Sequence, residues 1–356
     1  MYITRLECRC FRRLAEMSFE PLPGLNVIRG GNAQGKTTLL EAVLYAATSK
    51  SHRTSNESEL PHYGKDGFQV RAWAQRSDRD VQIEANWYRG AKRFKVNGAP
   101  QSRISDILGR INVVFFSPED VELVKGGASG RRRFLDMEIS QINPAYLGAL
   151  QQYRQVLRQR NELLRANAPD PDLLDVWDTQ LASFGAQVAA GRNEYVGELS
   201  GFARDAYRCI AGSEAMDLSY QPDIRTGEDY SAVLTRARVS DLKQRLTQRG
   251  PHRDDIEILI DGRPARSHAS QGQQKTAALS MKLAELELVR SHIGEYPVLL
   301  LDEVLAELDA ARARRLFEAI GDDVQCIMTT TGAVSSAEAF GSNASFKIEQ
   351  GHLEKE

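Results

Sequence analysis

The chain has 356 residues, 42% of them hydrophobic and 26% charged, a composition that excludes disorder and collagen and suffices to bury a sizeable core in roughly two domains. Its net charge of −2 hides a division, because residues 1–165 hold 26 basic and 17 acidic side chains while the remainder holds 20 and 31; the basic half can attract a polyanion. The longest aliphatic run, Val298–Leu301, falls far short of the roughly 20 apolar residues that span a bilayer, and Arg5, Glu7, Arg9, Arg12 and Arg13 stand where a signal peptide would be apolar, so a cytoplasmic protein with no membrane association is expected.

Residues 1–7 read as a strand continuing through CRCFRRL, and Leu25-Asn26-Val27-Ile28 as a buried strand that stops at Gly30-Gly31. Cys8 and Cys10, two apart in the first strand, share a face as small buried hydrophobes. With only Cys209 and Cys326 besides, neither a disulfide framework nor a tetrahedral zinc site is expected. Residues 37–49 carry Leu39, Leu40, Val43, Leu44 and Ala47 at helical spacing. Residues 68–96 alternate as strands and end at Asn97-Gly98, a dipeptide suited to a tight hairpin, which predicts an antiparallel insert. Val113–Phe116 is a further buried strand. Tyr146, Leu150, Tyr153, Leu157 and Leu164, then Leu174, Trp177, Leu181, Phe184, Val188 and Tyr195, form two heptad patterns around Pro169 and Pro171, which predicts an antiparallel helical hairpin too short for a free rod. Ile256, Ile258 and Ile260 alternate up to Asp261-Gly262. A helix through Leu279, Leu283, Leu286 and Val289, a strand at 298–302, a helix at 310–320 and a strand at 325–329 complete the pattern. Strands alternate with helices at both chain ends, so the expected class is α/β, one parallel-sheet domain built from both termini with the helical middle inserted.

The chemistry-bearing residues begin with Gly30-Gly31-Asn32-Ala33-Gln34-Gly35-Lys36-Thr37, which satisfies G-x-x-x-x-G-K-[ST] between a strand and a helix, with Thr38 next. Its glycines let backbone N–H groups turn toward a phosphate at a helix N-terminus. Lys36 is suited to the outer phosphates and Thr37 to Mg²⁺, so ATP and Mg²⁺ are the expected cofactors. Asp302 ends a buried strand, where it would hold the magnesium through water, and Glu303 can polarise a water for attack on the γ-phosphate. Ser270-Gln271-Gly272-Gln273 precedes a helix and offers a second anion-binding end.

That last segment resembles the signature of ABC-class ATPases with Gln271 in place of a glycine, and Ala306-Glu307-Leu308-Asp309 resembles their D-loop. Together these imply two ATP molecules held between two copies of the chain. Residues 1–13 with Phe11-Arg12, GGNAQGKTTLLEA, SHRTS at 51–55, FFSPEDVELVKGGASGRRRFLD at 115–136, GPHRDD at 250–255, SQGQQKT at 270–276 and LLLDEVLAELD at 299–309 are similar to the RecF family. The resemblance implies an ABC-type ATPase head, related to SMC heads without their long coiled coil, divided as residues 1–135 (head with β insert), 136–245 (helical domain) and 246–356 (rest of the head). It implies an ATP-dependent homodimer on double-stranded DNA and single-strand/double-strand junctions, hydrolysis that resets the dimer, and work with RecR and RecO in loading RecA at gaps. It adds Arg12, Ser270, Gly272, Gln273 and Asp309 to the nucleotide-binding residues. Many relatives carry Asp where Glu303 stands, which retains a carboxylate. Thr329, Thr330 and Thr331 stand after the last strand in place of the His switch of transporters, and their hydroxyls can hold a γ-phosphate or a water. The glutamine loop is expected near Ser117 and Glu119.

For DNA, Arg131, Arg132 and Arg133 and the series Arg154, Arg158, Arg160 and Arg165 lie in the basic half, and Arg154, Arg158 and Arg165 return to one helix face. Such guanidinium groups neutralise phosphates without reading bases. Competing readings are weaker. The ATPase subunit of a membrane transporter needs a shorter Thr37-to-Ser270 separation, a His switch and a membrane-coupling surface. A small-molecule kinase needs no SQGQ segment, and a DNA-end binder with a vestigial ATPase would not keep Lys36, Thr37, Asp302 and Glu303 together.

Overall fold

Residues 1–19 make the first hairpin, β1 (Tyr2–Phe11) and β2 (Leu14–Phe19), turning at Arg12 in the left-handed region with φ 48°. In this computed structural model, which describes all residues except Ser213, Thr226 and 332–342, and all described side chains but those of Ala306 and Glu307, the chain packs into two units. The first comprises residues 1–120, 206–213 and 278–356, and the second 121–205 and 214–277.

In the first unit, β3 (Leu25–Arg29) and α1 (Lys36–Thr48) flank the glycine loop. The insert is β4 (Gly67–Gln75), β5 (Asp80–Tyr88), β6 (Ala91–Val96) and β7 (Ala99–Gln101), with the expected tight turn at Asn97-Gly98, both at positive φ. These strands form an antiparallel sheet in the order β2-β1-β4-β5-β6-β7. Alternation sends Leu6, Cys8, Val70, Ala72, Ile83 and Ala85 inward. The facing positions Glu7, Arg71, Glu84 and Lys95 pair across strands with alternating sign. Cys8 is buried as expected, while Cys10, at φ 55°, is only half-buried, because the left-handed residue breaks the alternation. β8 (Val113–Phe116) follows.

The second unit begins with α2 (Glu122–Lys125), α3 (Ala128–Ile142), α4 (Pro144–Leu164) and α5 (Pro171–Ala211), the last continuing into the first unit. Asn143 caps α4 by accepting from the Tyr146 N–H at 2.9 Å, with Pro144 at the first helical position. The expected hairpin is antiparallel in detail. Tyr146 meets Arg192 (3.2 Å), Tyr153 packs at Gly185, and Arg160 meets Asp178 (2.6 Å), so each seven-residue step up α4 is a seven-residue step back along α5. Next come β9 (Met216–Gln221), α6 (Tyr230–Gln244), β10 (Asp255–Ile260), β11 (Arg263–Pro264) and α7 (Ala265–His268), with a small antiparallel sheet β11-β10-β9. α8 (Gln271–Ile293) then leads back to the first unit.

There, β12 (Val298–Asp302), α9 (Ala310–Ile320), β13 (Cys326–Thr330), β14 (Ala344–Glu349) and β15 (His352–Lys355) complete a second sheet in the order β15-β14-β3-β13-β12-β8. Its strands are parallel except β15, and β3 from one chain end lies between β13 and β14 from the other. This is the α/β sheet built from both termini. α1 touches strands of both sheets, and of its thirteen residues only Thr37 is not buried; a helix covered on all sides carries no polar face.

The division into units departs from the boundaries 1–135, 136–245 and 246–356. Residues 121–135 and 246–277 pack with the helices, because Arg131 and Arg132 of α3 are bound to Asp255 and to the Asp254 carbonyl. β9, α6, β14 and β15 were not foreseen, being short or embedded in stretches dominated by helical periodicity.

Candidate active site

Register places the carboxyl ends of β3, β13 and β12 side by side, with Ile28 opposite Thr329 and Thr329 opposite Asp302. This is the end of a parallel sheet where ligands bind. The loop leaving β3 has to be glycine-rich for steric reasons. A Cβ on Gly30 would lie 2.4 Å from the Ile348 carbonyl oxygen, and Gly35 has φ 114°. Arg13 donates to the Ala33 carbonyl (2.7 Å), and the β14–β15 turn braces the loop through Gln350 N–H to Gln34 Oε1 (2.6 Å) and Gly351 N–H to the Gln34 carbonyl (3.1 Å). Gly31, Asn32 and Ala33 are exposed, and no side chain caps the start of α1. Its first N–H groups are thus suited to an anion.

Lys36 is 3% exposed, and its Nζ lies 2.8 and 2.9 Å from the Gly30 and Gly31 carbonyls and 3.1 Å from Glu303 Oε1. Thr37 Oγ1 donates to Asp302 Oδ1 at 3.0 Å, although the two are 265 residues apart in sequence. Burial pushes the Asp302 carboxyl above its ordinary range, while the hydroxyls of Thr329 and Thr37 oppose that shift, Glu303 adds to it and Lys36 opposes it. Glu303 stands at φ 51° with its side chain 37% exposed. Thr37 and Asp302 supply hard oxygens side by side, and among the described residues no group of three or more His, Cys, Asp or Glu could hold a metal. That donor set fits Mg²⁺, which keeps waters and phosphate oxygens in its shell, and does not fit an ion caged by protein alone.

Thr38 is buried. Arg12 closes on Glu41, a fully buried carboxylate of α1, at 2.8 and 2.7 Å, and Ser51 of the SHRTS segment donates to the same carboxylate at 2.5 Å. Ser117 follows β8, whose Phe116 pairs with Leu301, so the expected glutamine-loop neighbourhood sits at the same sheet end. Asp309 caps α9 by accepting from the Arg312 N–H (2.9 Å), which holds its carboxyl below the usual range. The side chains of Ala306 and Glu307 in the same segment lie outside those described.

In the second unit, Ser270 and Gln273 form a reciprocal cap on α8. The Ser270 N–H donates to Gln273 Oε1 (2.7 Å) and the Gln273 N–H to Ser270 Oγ (3.2 Å), while Gln273 Nε2 also donates to Glu214 (2.7 Å). Ser270 and Gln271 are exposed and Gly272 is half-buried.

The expected DNA-binding arginines divide. Arg131 is a correction, since it is 4% exposed and all its nitrogens are engaged, by Asp255 (2.6 and 2.9 Å) and by the Leu123 and Gly126 carbonyls. Arg160 is fully buried against Asp178, Asp241 and Thr247. Arg132 is half-buried on the Asp254 carbonyl, and Arg154, though exposed, pairs with Asp136 (2.6 Å). Arg133, Arg158 and Arg165 are exposed. Helical spacing finds a shared face but not the acidic residues that other elements bring to it.

The GPHRDD block is a packing hub. Arg192, nearly buried, binds Asp136 (2.8 Å), Asp254 (2.9 Å) and the Pro251 carbonyl (2.6 Å); Tyr220 also bonds Asp254; and His252 joins Tyr153 (2.7 Å) to the Thr247 carbonyl (3.0 Å). Buried charges persist when paired and hydrogen-bonded in this way.

Comparison with known proteins bears on these arrangements together. A family model described as the RecF/RecN/SMC N terminal domain matches residues 2–353. A DNA replication and repair protein RecF of Lactobacillus delbrueckii subsp. bulgaricus is 41% identical across the whole chain and 98% of that relative, and one of Lachnospira eligens is 38% identical across all of both. The solved structure of a recombination mediator protein RecF with ATP, of the RecFOR pathway, has a TM-score of 0.93 at 36% identity, covering 100% of this chain and 97% of that one. An Smc head bound to the C-winged helix domain of ScpA matches at 17% identity with a TM-score of 0.60, a likeness of fold alone.

Proposed function

The chain belongs to the RecF family of DNA replication and repair proteins, and from that membership we propose that it is an ATP-hydrolysing, DNA-binding repair protein that works as an ATP-dependent homodimer. The observation that carries the reading is the 3.0 Å contact between Thr37 and Asp302 beside Lys36 and Glu303, which gathers phosphate, metal and water chemistry at one sheet end. ATP lies along Gly30–Thr38, where backbone N–H groups take the phosphates and Lys36 exchanges its carbonyl partners for β- and γ-phosphate oxygens. Thr37 and Asp302 would hold Mg²⁺, which would supply positive charge to offset that of the phosphates. Glu303 orients a water in line with the γ-phosphate.

The Ser270–Gln273 turn, exposed at Ser270 and Gln271, and Asp309 of a second copy close over this nucleotide, and hydrolysis, weak and stimulated by DNA, releases the pair. Double-stranded DNA and single-strand/double-strand junctions are the substrate surface, with RecR and RecO as partners in loading RecA at gaps. The transporter reading is not favoured, given a family match across the chain and the absence, among the described residues, of any helix long and apolar enough to cross a membrane.

Light scattering of the wild type and of Glu303→Gln, each with and without ATP, tests the proposal. A dimer that forms with ATP and persists in the variant is expected; a monomer throughout overturns it. A double-stranded DNA titration at two salt concentrations should show tighter binding with ATP and a steep salt dependence.

A further inference from the structure

Thr329 lies at the end of β13, fully buried, in the strand between the phosphate loop's strand β3 and the carboxylate strand β12. Its hydroxyl makes two contacts at once. It donates to Asp302 Oδ1 at 2.6 Å, the same oxygen that accepts from Thr37, and it accepts from the Glu303 N–H at 3.1 Å. A hydroxyl has one proton and lone pairs to spare, so this donor-and-acceptor use is chemically complete. The second contact holds an unusual backbone. Glu303 sits in the left-handed region at φ 51°, which costs a non-glycine residue energy and persists only where surrounding structure over-determines it.

We propose that Thr329 is a positioning residue for the hydrolytic site: its single hydroxyl fixes both the rotamer of Asp302 and the left-handed turn that aims Glu303. This rests on the reading of Asp302 as the metal-holding and Glu303 as the water-polarising carboxylate. It reassigns the first threonine of the Thr329–Thr331 run. The Thr329 hydroxyl is committed to two protein groups, so it acts through the carboxylates and not on a phosphate. Serine can replace it, whereas valine, of nearly the same shape, can neither donate to Asp302 nor accept from Glu303, and leaves the Glu303 N–H without its acceptor.

The test compares the full-length wild type with Thr329→Val, Thr329→Ser and Thr329→Ala, the last deleting the hydroxyl without bringing a methyl against Asp302. Each is first melted to establish that it is folded. A fluorescent ATP analogue is then titrated with and without Mg²⁺, and single-turnover hydrolysis is followed with the protein in saturating excess over ATP. In Thr329→Val and Thr329→Ala the gain in ATP affinity conferred by Mg²⁺ should fall about tenfold, and hydrolysis by more than about thirtyfold, with metal-free ATP binding within about threefold of wild type. Thr329→Ser should restore both to within about threefold. Wild-type magnesium gain and hydrolysis in folded Thr329→Val, or a serine variant as impaired as valine, overturns the assignment. The magnesium comparison needs only ATP binding, so it reads Thr329 independently of the ATP-driven dimerisation that tests the proposed function.

Discussion

Lys36 shows how one side chain links local structure to activity. Its ammonium is 3% exposed and held by two loop carbonyls and the Glu303 carboxylate, so its charge is already placed where phosphate oxygens would arrive. Lys36→Met should lower ATP affinity by at least about tenfold and abolish ATP-dependent dimer formation, read by nucleotide titration and light scattering. Lys36→Arg should fail as well, since a planar guanidinium does not fit a pocket shaped for a point charge. The arginines give a contrasting pair of expectations. Arg131→Ala should cost about 1–3 kcal/mol in denaturant unfolding, because it leaves the Leu123 and Gly126 carbonyls without their donor and removes the partner of the partly exposed Asp255, and should leave the salt dependence of DNA binding unchanged. The double variant Arg158→Ala/Arg165→Ala should barely alter stability and, if α4 meets DNA, should flatten the salt slope by about two. The sequence marked all of these residues as basic. Only the acidic residues brought in from α3, β10 and other elements separate structural from available charge.

At the scale of elements, the hairpin of α4 and α5 was legible because its heptads put Tyr146, Leu150, Tyr153 and Leu164 on one face and Leu174, Leu181, Val188 and Tyr195 on another, all of them buried. What periodicity did not show is how closely the helices approach. A Cβ on Gly191 would lie 2.8 Å from Tyr146 Cδ2, and one on Gly185 would lie 2.9 Å from Tyr230 Cε1, whereas Gly197 and Gly201 of the same helix have nothing within 4 Å. Alanine is favoured over glycine in a helix by about 1 kcal/mol, so the two pairs should separate in sign. Gly197→Ala and Gly201→Ala should each stabilise by about 0.5–1 kcal/mol, and Gly185→Ala and Gly191→Ala should destabilise by about 1–3 kcal/mol through overpacking, all read by denaturant unfolding. The glycine loop and β12 were legible for a related reason, since their sequence patterns carry their own steric and burial logic. β14 and β15 were not, although their turn braces the loop through Gln350 and Gly351, because the bracing contacts are made across the fold.

For the molecule as a whole, acid sensitivity follows from half-buried imidazoles. His52 lies tilted against Phe115, ring centroids 4.3 Å apart, with Nδ1 unpartnered, and burial, Arg53 and Arg12 lower its pKa from 6.5 to about 4; burial lowers His252 in the same direction. The unfolded chain takes up protons below its ordinary histidine pKa while the folded chain resists, so this contribution is complete above pH 6.5 and is lost as pH falls toward 4. His52→Phe should remove on the order of 2 kcal/mol of that pH dependence in unfolding titrations between pH 7 and 4.5. The broad division, a sheet from both ends with helices between, was readable from alternating periodicities, and its unit boundaries were not, since they depend on ion pairs such as Arg131–Asp255. The pairing of β3 also has a bearing on how the protein is made. Leu25 waits for Cys326 and Asn26 for Ala344, so a chain still emerging from the ribosome presents β3 with both edges bare until nearly all of it has been translated. Such a strand is a template for adventitious pairing, which makes chaperone protection during synthesis an expectation. It also means that a prematurely terminated product cannot assemble the nucleotide pocket at all.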